Sequence, residues 1–186
     1  MISRRGIEFY DDWTAKANAI AGDNLSSIYD RFITNFIIYN SLYNEVPMQL
    51  SARGFTLPRR LYDDLKATDY VVKYITPNTF LKKLSEKGCD KPIDQLVKLI
   101  DDEKFYIELS STGERQRAKD IRIASHIKSK NKNNKAVNIL KIIYHVRCNI
   151  FHGNKQFKEY QRELLTPATK VLQEVNTILF EHIREN

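Results

Sequence analysis

Apolar residues recur at helical spacing from Leu25 to Tyr43, and this periodicity limits the possible folds more than any other feature of the chain. The spacing places these residues on one broad face of a helix. Asp23 is a suitable N-cap, and Pro47 is expected to end the segment. A face this wide must be covered by other elements of the fold. Its positions are Leu25, Ile28, Phe32, Ile33, Phe36, Ile37, Asn40 and Tyr43.

Other segments with helical character lie on both sides of this helix, at 7–21, 61–75, 79–88, 93–100, 113–130, 136–151 and 167–184. Residues 104–111 alternate as a strand would, and the polar run 131–134 is expected to break the helical pattern. We therefore predict an all-α fold, an antiparallel helical bundle that forms one domain over 1–186. Residues 50–112 would be an irregular, mainly helical elaboration on that bundle.

Composition favours a globular protein. Of 186 residues, 42% are hydrophobic and 28% are charged, a balance that argues against extended disorder. No apolar run approaches the roughly 20 residues that span a bilayer, and the first residues lack the apolar core of a secretory signal. Because Cys89 and Cys148 are too few for a disulfide framework, we expect a cytoplasmic protein without a membrane partner.

Positive charge is concentrated in one segment. Residues 113–135 hold eight basic and two acidic side chains, which accounts for +6 of the net charge of +7. A local basic stripe is typical of proteins that bind a polyanion, because neutralising phosphates releases counterions. A solvated lysine-rich surface explains the same composition.

Residues 144–155, YHVRCNIFHGNK, carry the strongest chemical signal. Arg147 lies five positions before His152, and Gly153 follows the histidine. A guanidinium can bind a phosphate and stabilise charge that builds on it, while an imidazole transfers protons near neutral pH. Held together, the two groups could cleave RNA without a metal ion.

Geometry restricts how Arg147 and His152 can meet. Five residues along a continuous helix separate two side chains by about 140°. Gly153 could end the helix and let His152 turn, or two copies of the chain could each contribute the pair to a shared cleft. A second apolar stripe that includes Leu140 and Tyr144 surrounds Arg147, and this also favours a partner surface.

The motif RCNIFHG resembles the Arg-x4-6-His signature of HEPN domains, which are small all-helical bundles found in prokaryotic ribonucleases and defence proteins. The aromatic-rich early helix FITNFIIYNSLYNEV and the HGNK sequence are also similar to HEPN proteins of phage-defence and abortive-infection type. In that family the position after the arginine is often polar. Here it is Cys148, and Asn149 follows one place later.

The resemblance implies a homodimeric, metal-independent endoribonuclease that needs no cofactor, a toxin or antiviral-defence effector that an antitoxin or regulatory protein could restrain. The RNA 2′-hydroxyl would attack the adjacent phosphate to leave a 2′,3′-cyclic phosphate. His152 would act as acid or base, Arg147 would stabilise the transition state, and Asn149 and Lys155 would hold the RNA.

Two other interpretations fit the same residues. One is a non-catalytic HEPN module that binds RNA or a partner protein. The other is a metal site formed by His145, Cys148 and His152, although zinc usually requires a fourth ligand and the spacing matches no common arrangement.

Overall fold

The computed structural model describes residues 3–110, 112–151 and 158–185. Within these ranges the secondary structure is helical, with one isolated antiparallel bridge between Leu109 and Arg115. The predicted all-α fold is confirmed. The α-helices are α1 (Arg4–Ala19), α2 (Leu25–Ala52), α3 (Asp63–Leu65), α4 (Val71–Ile75), α5 (Pro77–Glu86), α6 (Asp90–Asp101), α7 (Arg117–Lys128), α8 (Lys132–Phe151) and α9 (Arg162–Glu185).

The alternation at 104–111 does not correspond to a strand of a sheet in the described residues. Residues 105–108 form no helix, and the described part of this segment has a single β-bridge, between Leu109 and Arg115. Phe105 and Ile107 are buried at alternate positions. The alternation therefore reflects an extended segment that lies on helices, and not a strand in a sheet.

Two prolines lie inside long helices, contrary to the sequence-based boundaries. Pro47 was expected to end α2, but the helix continues to Ala52, and Pro167 was expected to begin α9, which starts at Arg162. A proline in a helix interior costs about 3 kcal/mol because it lacks an N–H and crowds the preceding turn. Burial of Val46 and Leu50, each 0% exposed, offsets that cost in α2.

Asparagine side chains, and not Asp23, begin two of the main helices. Asn24 Oδ1 accepts a hydrogen bond from the Ser27 N–H at 3.0 Å, which caps α2. Asn131 Oδ1 accepts one from the Asn134 N–H at 3.0 Å, in the loop that precedes α8. The polar run 131–134 does separate α7 from α8, but most of it forms the first turn of α8.

A π-helical turn at Lys66–Tyr70 joins α3 to α4 in one continuous helical element. The Tyr39 hydroxyl on α2 donates to the Ala67 carbonyl inside this turn. Wide π turns release backbone carbonyls from the usual i to i−4 pattern, and this carbonyl is taken up by a buried phenol. The turn packs against both α2 and α8, so it holds the α3 residues close to these two helices.

Helices α2 and α9 run in the same direction. Ile28 near the start of α2 shares a cavity with Thr169 near the start of α9. Further along, Asn176 Nδ2 donates to the Asn35 carbonyl at 2.9 Å. The long connection between the two helices permits this parallel pairing. The predicted antiparallel arrangement therefore does not hold for α2 and α9.

The middle of the chain supplies much of the core. Its buried side chains belong to the same apolar cluster as those of α2, α8 and α9. These buried residues of the middle segment include Ala67, Val71, Val72, Tyr74, Ile75, Phe80, Leu84, Leu96 and Ile100. Within the described ranges, no helix combines the length and the apolar character that crossing a membrane requires.

Candidate functional site

Arg147 lies on α8 against the aromatic side of α2. Its guanidinium carbon is 5.3 Å from the centre of the Phe36 ring, within the range of a cation–π contact. Its Nη1 atom is 3.8 Å from Cys148 Sγ. The side chain is half-buried, so the cation is held next to apolar surface without complete removal from solvent.

An acidic hub lies beside Arg147. The Tyr43 and Tyr144 hydroxyls both donate to Asp63 Oδ2, at 3.0 Å and 3.3 Å. Lys66 Nζ lies 3.1 Å from Asp63 Oδ1 and donates to Asn44 Oδ1 at 2.5 Å. Tyr43 comes from α2, Tyr144 from α8, and Asp63 from α3. The hub therefore joins three elements that are far apart in the sequence.

The protonation states of the hub follow from burial and charge. Partial burial alone would raise the pKa of Asp63, but hydrogen bonds from Lys66 and Tyr43 outweigh it, and the pKa lies below its ordinary value. Burial and the Asp63 charge raise the pKa of Tyr43, and burial with the neighbouring Cys148 and Asp63 raises that of Tyr144. The Arg147 cation opposes both increases. Near neutral pH the hub therefore presents a carboxylate, an ammonium group and two neutral phenols within electrostatic reach of the guanidinium.

Asn149 lies on a different face of α8. Its side-chain amide donates to the Tyr106 carbonyl at 3.3 Å and to the Ile107 carbonyl at 3.0 Å. The residue is only 5% exposed. We predicted that Asn149 holds RNA, and this geometry corrects that prediction: both amide hydrogens are used to hold the extended segment 105–108 against α8.

The same extended segment is held from its other side. Asp120 is 0% exposed, and its Oδ1 accepts hydrogen bonds from the Ile107 and Glu108 N–H groups at 3.2 Å and 2.8 Å. Burial raises the pKa of Asp120, although these two N–H donors oppose the increase. His145 Nε2 lies 3.1 Å from Glu108 Oε1, and burial lowers the pKa of His145. The His145 and Asn149 face of α8 is thus a structural contact.

The second apolar stripe on α8 is largely accounted for within one chain. Leu140 is 0% exposed and belongs to the core, and Tyr144 contacts the Asp63 hub. We inferred a partner surface from the width of this stripe. The described part of the stripe packs inside the chain, so its width no longer argues for a partner.

His152, Gly153 and Lys155 lie outside the described residues, so the predicted approach of His152 to Arg147 and the predicted role of Lys155 remain predictions. The metal interpretation also included His152. Over 3–110, 112–151 and 158–185, no group of three or more histidine, cysteine, aspartate or glutamate side chains is arranged to hold a metal ion.

The basic stripe of 113–135 is divided between structural and solvent-facing side chains. Arg117 Nη2 donates to the Asp101 carbonyl at 3.1 Å, and Lys128 Nζ contacts Asp101 Oδ2 at 2.6 Å. The Arg115 guanidinium carbon lies 3.8 Å from the centre of the Tyr106 ring. Four other cations of the stripe are exposed: Lys119, Arg122, Lys130 and Lys132.

Sequence reasoning did not find the Asp63 hub. Tyr43 and Tyr144 fell on apolar helical stripes, where tyrosine is usually a core residue. Asp63 is the first of two adjacent aspartates at a helix start, a common position for an acidic side chain. The sequence alone carried no sign that these residues converge, because contacts between distant segments leave no local pattern.

No protein-family model, curated protein or solved structure matches this chain.

Proposed function

We propose that this protein is a cytoplasmic, metal-independent endoribonuclease that acts as a homodimer, in the manner of a toxin or an antiviral-defence effector. The observation that carries the proposal is the position of Arg147: a half-buried guanidinium next to two phenols and the Asp63–Lys66 pair. A cation held in this way can bind a phosphate without first losing a full hydration shell.

In the proposed reaction the ribose 2′-oxygen attacks the adjacent phosphorus. The new P–O bond closes a 2′,3′-cyclic phosphate, and the bond from phosphorus to the 5′-oxygen breaks. A base takes the proton of the 2′-hydroxyl, and an acid protonates the departing 5′-oxygen. His152 supplies one of these functions and its copy in the second subunit the other, while Arg147 stabilises the charge on the phosphoryl oxygens.

Substrate approach relies on the exposed part of the basic stripe. Lys119, Arg122, Lys130 and Lys132 face solvent, and each neutralised phosphate would release condensed counterions. Lys155 would contact the RNA backbone closer to the scissile bond. RNA affinity should therefore fall steeply as salt concentration rises.

Purified protein incubated with RNA in excess EDTA tests the proposal. We expect wild-type protein to produce fragments with 2′,3′-cyclic phosphate and 5′-hydroxyl ends. The Arg147→Ala and His152→Ala variants should lose about 10²–10³-fold in rate. Arg4→Ala is the control, because Arg4 is 92% exposed and pairs with Glu8 inside α1. No cleavage by the wild type across structured and single-stranded RNAs, or full activity in Arg147→Ala, would contradict the assignment.

A second candidate is a non-catalytic module that binds RNA or a partner protein such as an antitoxin. The hydrogen bonds that Tyr43, Tyr144 and Lys66 make to Asp63 favour it, because a polar cluster satisfied from within one chain can be purely structural. Salt-dependent RNA binding without product, together with full biological activity in His152→Ala, would select this candidate over the nuclease.

A further inference from the structure

A cavity of about 460 Å³ lies between the N-terminal halves of α2 and α9. It is separate from the Arg147 site, because Arg31 in its wall and Phe36 beside Arg147 lie about 140° apart around α2. The lining combines three cations and neutral hydrogen-bonding groups with one carboxylate, Asp23, and one apolar residue, Ile28. The side chains that matter are Arg31, Arg162, Lys170, Thr166, Thr169 and Gln173.

Two of the three cations are paired with acids that can turn away. Arg31 Nη2 lies 3.6 Å from Asp23 Oδ1, and the Asp23 side chain is 95% exposed. Arg162 Nε lies 2.5 Å from Glu159 Oε1, and the Glu159 side chain is 68% exposed. Surface pairs of this kind contribute roughly 0–1 kcal/mol, so a stronger anion can displace both acids.

One of these cations is held in place independently of its acid. Arg31 Nη1 donates to the Ile20 carbonyl at 3.1 Å, and the Arg31 side chain is 22% exposed. The third cation, Lys170, contacts Glu174 Oε1 at 2.5 Å, and the Glu174 side chain is 19% exposed. The cavity therefore keeps a fixed guanidinium in its wall when Asp23 moves away.

Thr169 is a buried polar residue in the wall of the cavity. It lines the cavity and is 5% exposed, yet its hydroxyl has no hydrogen-bond partner within the described part of the chain. A buried hydroxyl without a partner costs roughly 1–3 kcal/mol. Thr166 lies three residues earlier, on the same side of α9, so two threonines line this wall.

The direction of the two helices adds to the positive potential. Because α2 and α9 run in parallel, their N-terminal ends lie at the same end of the bundle, and the end of the cavity at Asp23 and Arg162 lies closest to both. Each N-terminus carries about half a positive charge from the aligned peptide dipoles. Parallel dipoles repel each other, and an anion between them would relieve that repulsion.

We infer that this cavity binds the phosphate group of a small molecule, either free phosphate or a nucleoside monophosphate. The guanidiniums of Arg31 and Arg162 would contact the phosphoryl oxygens, and the Thr169 hydroxyl would donate to one of them once its side chain turns toward the cavity. A cavity of this size is large enough for a ligand somewhat bigger than phosphate itself. The inference does not depend on ribonuclease activity, since no residue of the Arg147 site takes part.

Calorimetric titration of the whole chain at constant ionic strength tests the inference, with inorganic phosphate, adenosine 5′-monophosphate and adenosine as probes. Wild-type protein should bind both phosphate-bearing probes and not adenosine. Tighter binding of the monophosphate would indicate a nucleotide, and equal affinity would indicate free phosphate as the ligand. Arg162→Gln should weaken binding about tenfold or more, and Thr169→Val should weaken it several-fold.

Arg4→Gln serves as the matched control and should bind as the wild type does. Circular dichroism checks that each variant is folded, and Arg162→Lys, which keeps the charge, should fall between wild type and Arg162→Gln. The inference is overturned if neither phosphate-bearing probe binds, if adenosine binds as well as its monophosphate, or if the folded Arg162→Gln and Thr169→Val variants keep full affinity.

Discussion

The last turns of α8 carry polar side chains on two faces, and the two faces contact different parts of the chain. On one face Tyr144 and Arg147 meet the Asp63 hub, where donors and acceptors lie around a half-buried cation. On the other face His145 and Asn149 contact the extended segment 105–108, and the amide of Asn149 is fully used by backbone carbonyls. Polar residues two positions apart on one helix therefore belong to different environments.

This difference distinguishes a residue that can bind a ligand from one that stabilises the fold. The contacts described for Arg147, with an aromatic ring and a thiol, are electrostatic and only partly directional, so a phosphate can replace them. A buried amide that donates to two carbonyls cannot leave them without exposing unsatisfied backbone groups. We therefore keep Arg147 as a functional candidate and assign Asn149 to stability.

The strongest test compares Asn149→Ala with Arg147→Ala in urea unfolding. Asn149→Ala removes the hydrogen bonds to one buried and one partly buried carbonyl and should lower the free energy of unfolding by about 2–3 kcal/mol. Arg147→Ala removes a partly exposed cation–π contact and should cost about 1 kcal/mol or less. The rate of RNA cleavage should show the reverse order, with a larger loss in Arg147→Ala than in Asn149→Ala. If Asn149→Ala kept its stability but lost cleavage, the assignment of the two faces would have to be exchanged.

A smaller effect is expected from Asp63→Asn. The substitution removes the ion pair with Lys66 but keeps an oxygen for the tyrosines, so it should cost about 1 kcal/mol at neutral pH. Because the folded pKa of Asp63 is lowered, its contribution is present above the unfolded pKa and disappears as pH falls through the folded value. Urea unfolding of both proteins at neutral pH and below about pH 4 checks this.

The two stability curves should converge in acid. The variant should also lower the pKa of Tyr144, since the Asp63 charge contributes to its elevation. A constant difference between the two proteins across the pH range would mean that Asp63 acts only by packing.

Sequence patterns predicted the helices because helices are local. The apolar period of α2, the end of α5 before Gly88 and the helical character of α6 all depend on residues within a few turns of each other. Predicted helix boundaries were wrong where tertiary packing outweighed the helix-breaking tendency of a residue. Pro47, for example, is buried with Val46 and Leu50 inside α2. The π turn at Lys66–Tyr70 likewise could not be predicted from neighbouring residues, because it contacts a distant residue: the Tyr39 hydroxyl on α2 donates to its Ala67 carbonyl.

The candidate site divides in the same way. Arg147 could be chosen from the sequence because a guanidinium on an apolar stripe is chemically unusual there. Asn149 was assigned to substrate through the resemblance, as the polar residue one place after Cys148, and only the position of segment 105–108 reveals its contacts. Asp63 is separated from Tyr144 by most of the middle of the chain, so no spacing rule could pair them.

The smallest effect is expected on the structural face, in the pH dependence of stability near His145. Burial lowers the folded pKa of His145 below its unfolded value of about 6.5. Between those two values the unfolded chain binds more protons, so the free energy of unfolding should rise with pH and should fall as pH drops from 7. The slope from one group is at most about 1.4 kcal/mol per pH unit.

His145→Gln should flatten this dependence, while Glu108→Gln should extend it to lower pH. The Glu108 carboxylate, 3.1 Å from the imidazole, favours its charged form, so its removal lowers the folded pKa further. His182 also has a lowered pKa through burial, and it leaves a residual slope in His145→Gln. Equal curves for wild type, His145→Gln and Glu108→Gln would show that the imidazole remains solvated, and the contrast between the two faces of α8 would then be smaller than the buried contacts imply.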